Sequence, residues 1–185
     1  MLSEKKYITY DEFVNIGMNT DELLEYIDGM IYNQASSSQI HQMVALNIAT
    51  EFNIFFKNKS CKPFIAPFDI ILKNEEDEHP TKVIPDISII CDKTGLNDLN
   101  YSGVPTLIVE ILSPSNEAHD LVTKMNLYQH FGVNEYWIVN PKIKTVSIYK
   151  INEKCFYEQF GVYKNEEEFL SATFKELKID LTEIF

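Results

Sequence analysis

Two carboxylates and a lysine stand where this chain would otherwise be building apolar core. TLIVEIL, residues 106–112, is β-branched and apolar, is bounded by Pro105 and Pro114, and reads as a buried strand. Alternation puts Leu107, Val109 and Ile111 on one face and Ile108, Glu110 and Leu112 on the other, so Glu110 interrupts an apolar face. VIPDISIIC, residues 83–91, is a second apolar run, and Asp86 breaks it directly after Pro85. A buried carboxylate is costly unless it is paired or bound to a metal. If the two acids converge, their repulsion raises one pKa or recruits a cation. Carboxylate oxygens suit Mg2+ or Mn2+. A lysine beside such an ion can orient and help deprotonate a water, or stabilise negative charge on a phosphate. Lys124 is the candidate. Two acids and a lysine around one metal are the minimum equipment for phosphodiester hydrolysis.

The elements that must position these groups lie between Gly103 and Pro141. After the strand at 106–112, SPSNE makes a turn and opens a helix, with Ser115 or Asn116 as the cap and Glu117 in the first turn. The helix runs to about Phe131 and stops at Gly132. EYWIV resumes as a strand and ends at Asn140-Pro141. Strand, helix and strand make a βαβ unit, normally parallel and right-handed. Asp120, Lys124 and Tyr128 are four apart and share one helix face. The plain reading of that face is an exposed ion pair worth roughly 0.3–0.5 kcal/mol. The sharper reading lays it over the strand end and aims Lys124 at Glu110.

Thr9 with Glu12 forms a capping-box pattern at the start of a short helix. Asp28-Gly29 is a hairpin turn between strands at 24–27 and 30–33. Glu25 lies on the face opposite Leu24, and the sequence alone reads it as a solvent-facing charge. Residues 34–38 form a polar loop whose serines cap the next helix. There Ile40, Met43, Val44, Leu46, Ile48 and Phe52 recur at helical spacing as a core face. His41 sits in the first turn, where the helix N-terminus favours a neutral, ligand-capable imidazole. A surface or capping role is the commoner one. CKPFIAPFDIILK, residues 61–73, reads as one strand, NEEDEHPTK as an acidic loop, and CDKTGLNDLNYSG as a loop. KTVSIYKI and KCFYEQFGVY read as a β-hairpin turning at Asn152-Glu153, NEEEF as a charged connector, and LTEIF as a terminal turn.

A length of 185 residues suits one domain, 1–185, with a single sizeable core. No apolar run approaches 18 residues, so no membrane span is expected, and the N-terminus lacks a secretory apolar stretch. Cys61, Cys91 and Cys155 are isolated and form no CxxC pair, which argues against a zinc knuckle and fits a reducing cytoplasm. The four histidines show no HExxH pattern. A net charge of −12 argues against tight nonspecific DNA binding unless a divalent cation inverts the local field.

PDISII and VEILSPSNEAHDLVTKMNLYQHFGVNEYWIV together resemble the Uma family of restriction-endonuclease-like proteins. LLEYIDGMIYN, the helix opening at His41, PFDIIL and FKELKIDLTEIF fit the same pattern, so the resemblance covers nearly the whole chain. The family belongs to the PD-(D/E)XK nuclease superfamily. That likeness implies an α/β fold, a central mixed β-sheet flanked by helices, with a divalent metal at its split. Pro85-Asp86 matches the superfamily's PD and Glu110 its second acid. The lysine expected two residues later is absent, because Leu112 stands there, and in the Uma pattern its place is taken by Lys124. The resemblance adds Glu25 as a third acid and His41 as a nearby accessory group, while Asp120 and Tyr128, from their helix spacing, would hold the lysine's helix face in place. It implies a Mg2+- or Mn2+-dependent endonuclease acting on DNA. A non-catalytic interaction module on the same scaffold is the alternative, and a purely structural ion-pair network is a third reading. A homodimer, through the aromatic strands IYKI and CFYEQF, would let two sites cut two strands.

Overall fold

The computed structural model describes residues 7–34, 36–74, 77–113 and 119–185, with the side chains of 119–121 outside the description. The expected turn and cap at Ser115, Asn116 and Glu117 therefore lie outside the described residues, as does the side chain of Asp120.

The chain opens with α1, Tyr10–Gly17, whose capping box forms as the sequence requires: the Thr9 hydroxyl accepts from the Glu12 N–H, and the Glu12 carboxylate accepts from the Thr9 N–H. Strands β1, Leu24–Ile27, and β2, Met30–Asn33, follow as a hairpin. Its turn has positive φ at Asp28 (49°) and Gly29 (76°), the twist that a two-residue hairpin loop demands. Helix α2, Gln39–Phe55, is capped by Ser38. Its core face is Val44, Ile48 and Phe52, whereas Ile40, Met43 and Leu46, expected in the core, are half exposed or more.

The next two expected strands are each broken in two. Residues 61–73 become β3, Lys62–Ile65, and β4, Asp69–Leu72, separated by the cis peptide Ala66-Pro67. The run at 83–91 becomes β5, Thr81–Val83, which starts within the expected acidic loop, and β6, Ile87–Ile90, separated at Pro85. The remaining strands are β7, Asn100–Ser102; β8, Leu107–Ile111; β9, Glu135–Asn140; β10, Thr145–Ile151; β11, Tyr157–Lys164; β12, Glu168–Leu170; and β13, Lys178–Asp180. β7 and β12 arise where the sequence reads as loop and connector, each a three-residue ladder with a partner strand. Between β8 and β9 run a π-helical segment, His119–Lys124, and α3, Met125–His130.

Six strands form a mixed sheet in the order β11-β10-β9-β8-β6-β3, in which β8 and β9 are parallel and the other neighbours antiparallel. Five more form a second sheet, β2-β1-β5-β4-β7. The breaks at 66–67 and 84–86 are two places where the chain crosses between these sheets. A proline suits each break because it cannot donate to a continuing ladder. This is the α/β architecture expected of a restriction-endonuclease-like protein, a central mixed sheet flanked by helices.

Alternation on β8 sorts the core in two. Leu107, Val109 and Ile111 pack with Ile87, Ile89, Trp137 and Val139 beneath α2 and the C-terminal segment. Ile108 packs with Tyr136, Ile138 and α3 residues Leu127 and Tyr128, with Phe131 just beyond, and this face continues into Ile27, Ile70 and Val83 of the second sheet. The Glu110 side of β8 thus faces the junction between sheets.

The cysteine reading needs correction. Cys61 and Cys91 are joined as a disulfide, one step beyond the Lys62–Ile90 pair of the β3/β6 ladder, and Cys155 is free. Cysteine usage therefore does not support a reducing compartment. Among the described residues, no helix is long and apolar enough to cross a membrane. Phe156 and Phe160 are exposed, the latter on the edge strand β11.

Candidate active site at the split between sheets

Glu25, Glu110 and Lys124 meet where the two sheets part. The β6/β8 ladder pairs Ile87 with Val109, so one position further along Asp86 comes opposite Glu110. Asp86 is 9% exposed and Glu110 2%. The Asp86 carboxylate accepts from the Ile111 N–H at 2.7 Å, and its backbone carbonyl accepts from the Ala66 N–H. It thereby ties together both breaks in the strands and the end of β8.

Glu25 corrects the reading made from alternation. Every residue of β1 is buried, so neither face of that strand looks to solvent. Glu25 accepts from the Ile84 N–H at 2.7 Å, beside the break that precedes Asp86. Gln34 donates to the Ile84 carbonyl. The backbone groups that the Pro85 break takes out of the ladder are thus satisfied by side chains, as burial requires.

Lys124 lies between two of the acids. Its Nζ is 3.0 Å from Glu25 Oε1 and 3.0 Å from Glu110 Oε1, and the lysine is 3% exposed. The Tyr128 hydroxyl donates to the same Glu110 oxygen at 2.7 Å. The four-residue spacing of Lys124 and Tyr128 therefore delivers both to one carboxylate, which rules out an exposed pair. The last turn of the π-helical segment carries Lys124, and α3 carries Tyr128. Gly132, with φ of +77°, ends that helix, and the Val133 N–H closes it onto the Tyr128 carbonyl. Burial pushes the Tyr128 phenol well above its ordinary pKa, and the Glu110 and Glu25 carboxylates push it the same way. It stays a neutral donor at any physiological pH.

His41 also joins the site instead of capping at the surface. It is buried, and its Nε2 lies 3.1 Å from Asp86 Oδ2, the oxygen that also accepts from Ile111. The sequence signal for it is position alone: a first-turn histidine on the core-facing side of α2, in line with Val44 and Ile48.

In kind, the donors suit a hard divalent cation, being carboxylate oxygens. In number they fall short as arranged. Among the described residues no group of three or more His, Cys, Asp or Glu converges as a metal cluster. The positive charge that two of the three acids meet is the Lys124 ammonium. An acid–lysine–acid group of this burial stands only because each charge is paired, and removing the lysine should cost roughly 3–5 kcal/mol.

A further buried acid has no part in this group. Glu135 is fully buried, and its two oxygens accept from the Trp137 indole, the Ser171 hydroxyl and the N–H groups of Ala172 and Thr173 at 2.7–3.0 Å. It fastens the C-terminal segment to β9.

Comparison with known proteins shows the family and the fold. A family model described as "Putative restriction endonuclease", Uma2, matches residues 10–182. A protein of Synechocystis sp. described only as uncharacterized is 28% identical over 153 residues, covering 82% of this chain and 75% of its own. A crystal structure from Anabaena variabilis, whose protein is described as "a putative nuclease belonging to DUF820", superposes with a TM-score of 0.76. It covers 96% of this chain and 97% of its own at 19% identity, a likeness of fold. With nearly its whole length matched by one family model, the chain belongs to the Uma2 family, whose fold is that of the PD-(D/E)XK-like nucleases.

Proposed function

We propose that this chain is a metal-dependent endonuclease that hydrolyses phosphodiester bonds of DNA. The observation that supports the reading is the buried Lys124 ammonium between Glu25 and Glu110 at the split between the two sheets, with Asp86 across the β6/β8 ladder from Glu110. Asp86 and Glu110 would hold Mg2+ or Mn2+, with Glu25 as the third acid. A bound ion of that kind neutralises charge on the scissile phosphate and makes its water a stronger nucleophile. Lys124 positions the attacking water and offsets negative charge. Tyr128 holds the Glu110 carboxylate by its hydroxyl, and His41 orients Asp86.

The Lys124 ammonium is the counter-ion of Glu25 and Glu110, so a divalent cation held by these acids would take over part of that charge balance.

The test is nicking of supercoiled plasmid with Mn2+ by the parent, Asp86→Asn and Glu110→Gln. Nicking that needs Mn2+ and falls by about a thousandfold in each variant supports the reading. Equal nicking by parent and variants would defeat it. The second reading, a non-catalytic module, is favoured by one observation, the lack of a three-donor cluster among the described residues. It would be upheld by a well-folded parent that neither binds Mn2+ nor cuts.

A further inference from the structure

A cleft of about 990 Å3 opens onto Asp86 and His41, between the loop after β2, the first turns of α2 and the β3–β4 break. That is the upper end of ligand-site sizes, roughly 300–1,000 Å3. Its wall carries neutral amides, with Asn33, Gln39 and Gln42 all exposed, and Ser36 and Ser37 beside them. The lining also has an apolar part, from Met43 (50% exposed) and Leu46 (61%) on the same face of α2 as the two glutamines, and from Ile65 (55%) on β3. Its charged lining is acidic, from Glu22 and Asp86, and among the described residues no lysine lines it. The chain as a whole has no arginine; all sixteen of its basic residues are lysines.

This lining is wrong for the backbone of duplex DNA. Duplex binding draws its strength from lysine and arginine on closely spaced phosphates, and arginine is the usual two-pronged reader of guanine and phosphate. The lining is right for bases. A glutamine or asparagine amide offers a donor and an acceptor side by side, which matches the edge of a base. Apolar side chains cover its face, as in sites that take a base out of the helix. Half-exposed Met43, Leu46 and Ile65 are otherwise unexplained, since nothing in the core calls on them.

We propose that this cleft takes unpaired nucleobases, so that the substrate is nucleic acid with a single-stranded stretch next to the scissile phosphate. Gln39 and Gln42 hydrogen-bond the base edges while Met43, Leu46 and Ile65 cover their faces. The inference rests on the phosphodiesterase reading for its cutting step but stands apart from it for binding.

The experiment compares three labelled DNAs of one sequence: a single strand, its full duplex, and a duplex with an unpaired loop. Cutting is measured with Mn2+ and binding by fluorescence anisotropy without it. The parent is set against a Gln39→Ala/Gln42→Ala double variant, whose exposed positions spare the fold. Single strand and loop should be cut at least about tenfold faster than duplex, with the cuts in the loop. The double variant should bind the single strand roughly tenfold more weakly, the scale of two lost neutral hydrogen bonds. Affinity should fall only shallowly with salt, because few phosphates are neutralised. Duplex cut as fast as single strand, or an unchanged double variant, overturns the inference and leaves the nuclease reading intact. Preferential single-strand binding without any cutting upholds the inference and defeats the nuclease reading. Neither binding nor cutting defeats both.

Discussion

Glu110 and Glu135 sit on neighbouring parallel strands, each almost wholly buried, and they do opposite things. Glu135 spends both oxygens on four neutral donors and closes the C-terminal segment against β9. Glu110 meets an ammonium and a phenol, shares the ammonium with Glu25, and lies across the ladder from Asp86, which lines an open cleft. Burial of an acid is therefore no mark of a site. What separates the two is the nature of the partners: Glu135 is held by neutral donors, whereas Glu110 is balanced by a cation for which another could substitute.

Substitutions can break this contrast. Lys124→Ala and Glu135→Ala should each lose roughly 3–5 kcal/mol of stability, the first by stranding two buried carboxylates and the second by stranding four donors. They should part company on adding Mn2+. The melting temperature of Lys124→Ala should rise by more than the parent's, because a divalent cation can replace the missing ammonium, while that of Glu135→Ala should rise only as the parent's does. Equal responses in a thermal melt would erase the distinction.

His41 provides a finer comparison. If it acts by orienting Asp86, His41→Gln should reduce Mn2+-dependent nicking by about 10–100-fold and leave the thermal melt within about 1 kcal/mol of the parent. A large stability loss with unchanged nicking would move His41 to the structural side, with Glu135.

The smallest expected effect lies away from both acids. Burial raises the Tyr157 phenol far above its usual value, and its hydroxyl donates to the Val133 carbonyl. In the unfolded chain that phenol ionises near pH ~10. Its stabilising contribution is full below that pH and is lost as pH rises toward the folded value, by up to about 1.4 kcal/mol per pH unit. Tyr157→Phe should flatten the alkaline limb of a denaturant-stability profile and lower the neutral region by about 1 kcal/mol, the lost hydrogen bond to Val133.

Much of the site is legible in the sequence because its signals are local. Glu110 and Asp86 each interrupt an apolar run, and a four-residue spacing carries Lys124 and Tyr128 to one face. Turn chemistry and alternation likewise define the hairpin at 24–27 and 30–33 and the strand at 107–111. What the sequence hides depends on contacts distant along the chain. Glu25 looks solvent-facing because alternation assumes one wet face, and β1 has none. The runs at 61–73 and 83–91 look like single strands because hydropathy cannot show a strand changing sheets, although prolines mark both places. The Cys61–Cys91 pairing follows from the β3/β6 register, which spacing along the chain does not reveal. Glu135 opens a strand and gives no sign of burial, since its donors Ser171, Ala172 and Thr173 come from the far end of the chain.

The most direct test of the contrast is Mn2+ titration by isothermal calorimetry on the parent, Asp86→Asn and Glu135→Gln. The account predicts binding by the parent and by Glu135→Gln, and its loss in Asp86→Asn. Binding by Asp86→Asn equal to that of the parent, or no binding by a folded parent, would contradict it.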